Sequence, residues 1–234
     1  MFKAQKKSWA SFHKKLEKVG KFPKYPQTIM VKTLFGNYLK KKISFNKKTK
    51  VVDVGCGFGN NLIPFLDIGC QVYGVEINND ICKITNNILK NKSKKKPIIK
   101  IGNNREIPFK SNYFDLLITN TLHYEENHND VDEALKEYQR VLKPNGTLYL
   151  ETTAPKHNFF LNSKKMSKNI YINKDKKDKI RCGKTFFFFE NEKFLQKNLK
   201  KYFKNVITGR VTEKIKNNYT DFFLSVSCSK FKNE

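Results

Sequence analysis

The sequence lacks long apolar runs, the longest being the four phenylalanines at 186–189. A helix that crosses a bilayer needs about 20 apolar residues in a row, so no transmembrane segment is expected. The first residues, 1–7, lead into no apolar signal core, which argues against export. Cysteine is sparse and scattered: the five, at 56, 70, 82, 182 and 228, form no CxxC pair and no ladder of metal-ligand spacing. They read as reduced thiols of a cytoplasmic protein, and no metal site is expected. Arginine is also scarce. Only Arg105, Arg140, Arg181 and Arg210 occur among 47 basic residues, which with 21 acidic residues give a net charge of +26. Such a surface attracts anions at low salt. Lysine, however, is a hydrated point charge, whereas arginine is the preferred fork for phosphates and base edges. Lysine, asparagine, isoleucine and phenylalanine share AT-rich codons, so a bias in nucleotide composition accounts for the surface without a nucleic acid partner.

The chain has enough material for a core: 234 residues, 38% of them hydrophobic and 13% aromatic. Residues 1–45 carry two helical patterns broken at 20–26, the second with an apolar stripe of Ile29, Met30, Leu34 and Leu39. A lysine-rich loop at 40–50 follows. Strands at 51–54, 71–77, 97–101, 114–119 and 147–152 then alternate with helical patterns. Asp80 opens one helix, with Ile81, Ile84, Ile88 and Leu89 on one face. Asp130 reads as the cap of another, with Glu133 completing a capping box and Val131, Ala134, Leu135, Tyr138 and Leu142 along one side. This alternation predicts an α/β fold with a doubly wound parallel sheet. The tail differs. A helix around Phe194–Leu199 precedes strands at 205–212 and 221–229, joined by a segment too short for a helical crossover, so they should pair antiparallel. No internal repeat is present. The chain thus divides into an N-terminal helical cover (1–45), a core (46–153), a cap-like insertion (154–189) and a C-terminal helix with its hairpin (190–234).

Between the first strand and the next helix lies Asp53-Val54-Gly55-Cys56-Gly57-Phe58-Gly59. Glycines there let the backbone approach a ligand and adopt positive φ. A dinucleotide fingerprint would need glycine where Asn60 stands, and no Lys-Ser/Thr follows to cradle a triphosphate. Glu76 ends the second strand, where a carboxylate can meet both hydroxyls of a ribose.

Asp53-x-Gly55-x-Gly57-x-Gly59, Glu76, Ile107-Pro108-Phe109 with Phe114-Asp115, and Leu142-Lys143-Pro144-Asn145-Gly146 resemble the motifs of class I S-adenosylmethionine-dependent methyltransferases. The resemblance implies a Rossmann-like seven-stranded sheet of order 3-2-1-4-5-7-6 with strand 7 antiparallel. It implies S-adenosyl-L-methionine as cofactor, with Gly55, Cys56, Gly57 and Gly59 passing under its methionyl part. Asp53 would hold its amino group and Glu76 its ribose, with Ile77, Asn103, Asn104 and Asn120 lining the nucleoside. Asn103 stands where the family often has an aspartate against the adenine amino group; its amide carbonyl can still accept that bond. Asn145 replaces a glycine, and asparagine tolerates left-handed geometry. Residues 22–32 also resemble, over a short stretch, the entry of bacterial methyltransferases linked to surface glycans. That likeness would put Lys32 on the methionyl carboxylate.

Ligands of open α/β sheets sit beyond the carboxyl ends of the strands, and the fourth strand delivers Asn120 to Glu126 to that edge. His123 is the candidate catalytic base, with packing over the cofactor as its plainer role. Tyr124 is a candidate wall of the acceptor site, as are Trp9, Tyr25 and His157. Glu125, Glu126 and His128 read as solvated loop residues. The fourth strand is not followed by the Asn/Asp-Pro-Pro-Tyr/Phe motif associated with base-amino methylation or by the Pro-Cys associated with cytosine C5 methylation. The expected activity is methyl transfer to oxygen or nitrogen of a small-molecule or sugar-containing acceptor. The alternatives are an RNA methyltransferase, supported by charge alone, and a non-catalytic cofactor-binding protein.

Overall fold

The computed structural model describes residues 25–40, 42–92 and 96–230. Trp9 and the first helical pattern lie outside the described residues. Alternating strand and helix patterns become β1 (Lys50–Val54), β2 (Gln71–Glu76), β3 (Ile98–Ile101), β4 (Phe114–Thr119) and β5 (Leu142–Thr153), with β9 (Phe203–Ile215) and β10 (Asn218–Ser229) from the tail. They form one sheet in the order β3-β2-β1-β4-β5-β10-β9. The first five strands run parallel. β10 is antiparallel to both of its neighbours. Counting β9 and β10 as the sixth and seventh strands, this is the expected order, with the seventh strand reversed.

Strand periodicity sorts the apolar side chains between two layers. In β1, Val52 and Val54 enter a core with Leu135, Tyr138, Leu195 and Leu199, whereas Val51 joins Met30, Phe65, Leu89 and Tyr149 in a second. The helices are α1 (Thr28–Leu34), α2 (Ile63–Ile68), α3 (Asn79–Lys90), α4 (His128–Val141), α5 (Asn158–Leu161) and α6 (Glu192–Leu199). A 3₁₀ turn at Asn60–Leu62 leads into α2. The Asp130 cap is corrected: the cap of α4 lies three residues earlier, at Asn127, whose side chain accepts the Asp130 N–H at 3.0 Å. Asp130 Oδ2 in turn accepts Asn127 Nδ2 at 2.9 Å and the carboxylate pairs with Arg105 at 2.8 Å, so it serves the cap from inside the helix. The hairpin is also tighter than expected: β9 and β10 continue pairing to Ile215 and Asn218, leaving a two-residue turn in which Lys216 has φ 55°. Asn145 has φ 62°, which asparagine accommodates at the bulge entering β5.

The insertion after β5 contains regular structure. α5 is followed by β6 (Ser163–Ser167), β7 (Ile170–Asn173) and β8 (Thr185–Phe187), an antiparallel sheet in that order. The four phenylalanines fasten it to the core. Phe186 and Phe188 join Phe159 and Tyr171 in a local cluster against Tyr124, while Phe187 and Phe189 enter the main core. Alternation along an extended segment, with both faces buried, places the insertion beside the end of β4.

Candidate functional site

At the carboxyl edge of the sheet is a cavity of about 420 Å³, within the range of small-molecule sites. One end is walled by the loop after β1, the end of β2 and Gln27; the other by the end of β4, Thr153, Phe222 and the insertion. It therefore crosses the strands from β2 to β10. Of the residues singled out in the sequence, Gly55, Cys56, Gly57, Glu76, Ile77, Asn103, Asn104, Asn120, His123, Tyr124 and His157 line it.

The loop's glycines have separate jobs. Gly55 has φ 79°, and a Cβ there would lie 2.3 Å from Thr121 Cγ2. Gly57 has φ 51°, and a Cβ would meet nothing within 4 Å, so bare backbone faces open space. Gly59 is not in the cavity wall: a Cβ there would lie 2.8 Å from Leu89 Cδ1, so its lack of a side chain lets the loop pack on α3. Cys56 is buried and its thiol pKa is pushed well up, first by burial and then by Asp53 and Glu76, so it is no nucleophile. Glu76 is buried and accepts the N–H groups of Gly57 at 3.2 Å and Asn78 at 3.0 Å.

Asp53 lies just beneath the wall. It is 1% exposed, and among the described residues neither carboxylate oxygen has a hydrogen bond of good geometry. Burial drives its pKa up to about 7; the Asn61 amide opposes that rise, and Glu76 and Glu151 add to it. Gln27 Oε1 is likewise a buried acceptor without a bond among the described residues. Asn61 links these groups, because its Oδ1 accepts the Gln27 N–H at 3.0 Å. A buried carboxylate answered only by the Asn61 amide, a buried acceptor at Gln27, open backbone at Gly57 and a carboxylate at the tip of β2 fit an ammonium-bearing nucleoside. The chemistry of the donor set therefore agrees with the cofactor that the motifs imply.

Several expectations need correction. Lys32 is exposed on α1 and is not in the cavity wall. Tyr25 is 82% exposed and also outside it, although its carbonyl accepts Asn60 Nδ2 at 2.8 Å. Asn103 lines the cavity, and its side-chain oxygen accepts the Arg105 N–H at 2.9 Å in a local turn, which leaves one lone pair for a ligand. Asn104 spends its amide on Thr121 O, Glu125, the Thr121 hydroxyl and the Tyr138 hydroxyl, so it braces the wall. Glu125 is buried, not solvated. It bonds Asn104 at 2.8 Å and pairs with Arg105 at 3.1 Å, and burial still raises its pKa to about 7.

His123 is buried against Tyr124 and Phe159, and its Nδ1 has no hydrogen bond among the described residues. Burial, then the Arg181 charge, lowers its pKa to about 3, so its ring is neutral. His157 caps α5 by accepting the Phe159 N–H on Nδ1 at 2.9 Å, which leaves the proton of its neutral ring on Nε2. Its pKa is also lowered, by burial and Arg181. Gln27, Thr153, Arg181 and Phe222 are wall residues that no motif pointed to, and Thr121 and Phe159 join them from the end of β4 and the insertion. Arg181 had a signal, as one of four arginines in a lysine-rich chain.

Residues 52–150 match a protein family described as a methyltransferase domain. An uncharacterized protein of Haemophilus influenzae is 32% identical over 106 residues, covering 44% of this chain and 42% of that one. The ubiquinone/menaquinone biosynthesis C-methyltransferase UbiE of Shewanella frigidimarina is 36% identical over 115 residues, 46% of this chain and 44% of that one. The chain thus matches less than half the length of either relative. Among solved structures, the 1,6-didemethyltoxoflavin-N1-methyltransferase of Burkholderia thailandensis, crystallised with S-adenosylhomocysteine, superposes with a TM-score of 0.69 at 15% identity, covering 97% of this chain and 88% of that one. That likeness is one of fold. Residues 52–150 thus match a methyltransferase domain, and the order of the sheet is the one expected of the class I S-adenosylmethionine-dependent methyltransferase fold.

Proposed function

We propose that this chain transfers a methyl group from S-adenosylmethionine to an oxygen or nitrogen of a small-molecule acceptor. The observation that carries the reading is the continuity of the cavity, from Gly57 and Glu76 at one end to His123, Thr153 and Phe222 at the other. The cofactor, when bound, supplies an electrophilic methyl group. Gln27 and Asp53 would receive its ammonium group, Glu76 its ribose hydroxyls, and the backbone at Gly57 its close approach. Tyr124, Phe159 and Phe222 form an aromatic wall that keeps water from the acceptor. The matched domain ends at residue 150, before Thr153, His157, Phe159, Arg181 and Phe222, so the relatives' acceptors do not carry over.

His123 is the proton acceptor in this reading. With a pKa of about 3 it does not deprotonate an alcohol in advance. With an oxygen acceptor it receives the proton as the alkylated oxygen becomes strongly acidic, and then passes it to solvent; an amine acceptor, already neutral when it attacks, keeps its proton until it is released to water. Turnover should be read on a panel of hydroxylated aromatics, small amines and nucleotide sugars, with RNA alongside. Methylation of a small acceptor is expected, with kcat lowered about 100-fold in His123→Ala and cofactor affinity unchanged. Methylation of RNA alone would contradict the reading, and full turnover by His123→Ala would remove that residue from the proton path.

A further inference from the structure

The chain carries 47 lysines and arginines, yet among the described residues its cavity wall holds one, Arg181. Arg181 comes from the insertion, in the connection between β7 and β8. That connection is built to hold it. Asp178 Oδ1 accepts the N–H groups of Ile180 at 3.2 Å and Arg181 at 3.0 Å, and its Oδ2 takes the Arg181 Nε–H. The guanidinium carbon stands 4.5 Å from the centre of the Phe159 ring. The Tyr124 hydroxyl also contacts the guanidinium. A guanidinium held through Nε and laid on an aromatic face keeps donors on its terminal nitrogens, in the planar fork that suits an oxyanion.

Its neighbours assign it to the acceptor end. His123 and Tyr124 end the β4 side, Thr153 ends β5, Phe222 lies on β10, His157 caps α5 and Phe159 lies within it. Both histidines are neutral, so neither competes for an anion by charge. The wall carboxylates stand elsewhere: Glu76 at the tip of β2, and Glu125 paired with Arg105.

We infer that the acceptor carries an oxyanion, a carboxylate or a phosphate ester, seated on Arg181 with its apolar part among Tyr124, Phe159 and Phe222. Arg181 is then the residue that selects the acceptor. The inference deepens the methyltransferase reading and rests on it.

Calorimetry on the full chain tests it in two steps. S-adenosylhomocysteine is first titrated into the wild type, Arg181→Gln, Arg181→Lys and Lys164→Gln, the last removing an exposed lysine of the same insertion. Benzoate, phenyl phosphate and benzyl alcohol are then titrated into each loaded protein in about 150 mM salt, which screens the diffuse surface charge. In the wild type, benzoate or phenyl phosphate should bind about ten-fold or more tightly than benzyl alcohol. The stronger anion distinguishes a carboxylate from a phosphate ester. Arg181→Gln should shrink that advantage below about two-fold, Arg181→Lys should keep part of it, and Lys164→Gln all of it. Equal affinities in the wild type, absent binding included, overturn the inference. So does an advantage that survives in Arg181→Gln or vanishes in Lys164→Gln. Selective loss of S-adenosylhomocysteine affinity in Arg181→Gln would assign the guanidinium to the cofactor and overturn it as well. Failure of the wild type to bind S-adenosylhomocysteine would count against the proposed function, and the same anion comparison on the unloaded chain would still decide the role of Arg181.

Discussion

Asp53 lies under the glycine loop with Glu76 and Glu151 as charged neighbours, and its pKa rises from 3.8 to about 7. A carboxyl whose pKa is higher in the folded chain stabilises the fold below its unfolded value, and that contribution is lost as pH rises through about 7. Glu151, raised to about 7 by burial, acts in the same direction. His123 acts oppositely: its contribution is present above 6.5 and is lost as pH falls towards about 3. The difference between Asp53→Asn and the wild type isolates the aspartate. In ligand-free protein, Asp53→Asn should gain on the wild type by on the order of 2–4 kcal/mol between about pH 4 and 8, followed by scanning calorimetry. A difference that stays flat across that range would contradict the burial of a carboxylate that the Asn61 amide only partly offsets. The same residue shows what was legible at this scale. Its role was implied by the resemblance that the glycine-loop motif carries, whereas Gln27, a second buried acceptor, belongs to no motif and is tied to the site through its N–H bond to Asn61.

Among the elements, the insertion is the one the sequence described least well. Lysines and aromatics in residues 154–189 mark a departure from the core pattern, but strands this short carry no clear alternation. Their pairing depends on contacts that only the folded chain supplies, such as Asn169 Nδ2 donating to Phe188 O at 3.0 Å. The start of α4 was misread because Asp130 and Asn127 both have capping side chains, and local preference does not choose between them. The antiparallel hairpin was legible from its short connection, but the polar network inside it was not. Asp221 is buried and accepts Arg210 Nε at 2.8 Å, Arg210 Nη2 at 2.7 Å, the Thr212 hydroxyl at 2.7 Å and the Lys156 N–H at 2.7 Å. It therefore ties the first turn of the insertion to β9 and β10. Asp221→Ala leaves those donors without an acceptor and should cost about 3 kcal/mol in denaturant unfolding. Loss of less than about 0.5 kcal/mol would show that water replaces the carboxylate. These bonds hold the Asp221 carboxyl below its ordinary 3.8, so its contribution is present above that pH and fades as pH falls through the lower folded value.

Across the whole molecule, scarce arginine and abundant lysine turn out to mean different things. Each of the four arginines forms an ion pair: Arg105 with Glu125 and Asp130, Arg140 with Glu137, Arg181 with Asp178, and Arg210 with Asp221. Arginine occurs where a fork in fixed geometry is used, whereas most lysines meet solvent. The parallel sheet was legible from five strand–helix alternations, whereas its order and the cofactor end were implied by the resemblance that the glycine loop, Glu76 and the later motifs carry. The acceptor end was not, because it is assembled from β4, β5, β10 and the insertion, whose wall residues are far apart in sequence. Methyl transfer by this chain requires one cavity that takes S-adenosylmethionine. Titration calorimetry of the wild type, Gly57→Val and Glu76→Ala with S-adenosylmethionine tests it most directly. The prediction is saturable binding at one site in the wild type, loss of binding in Gly57→Val, and affinity weakened on the order of ten- to a hundred-fold in Glu76→Ala. No heat of binding in folded wild-type protein, or equal affinity in all three, would contradict it.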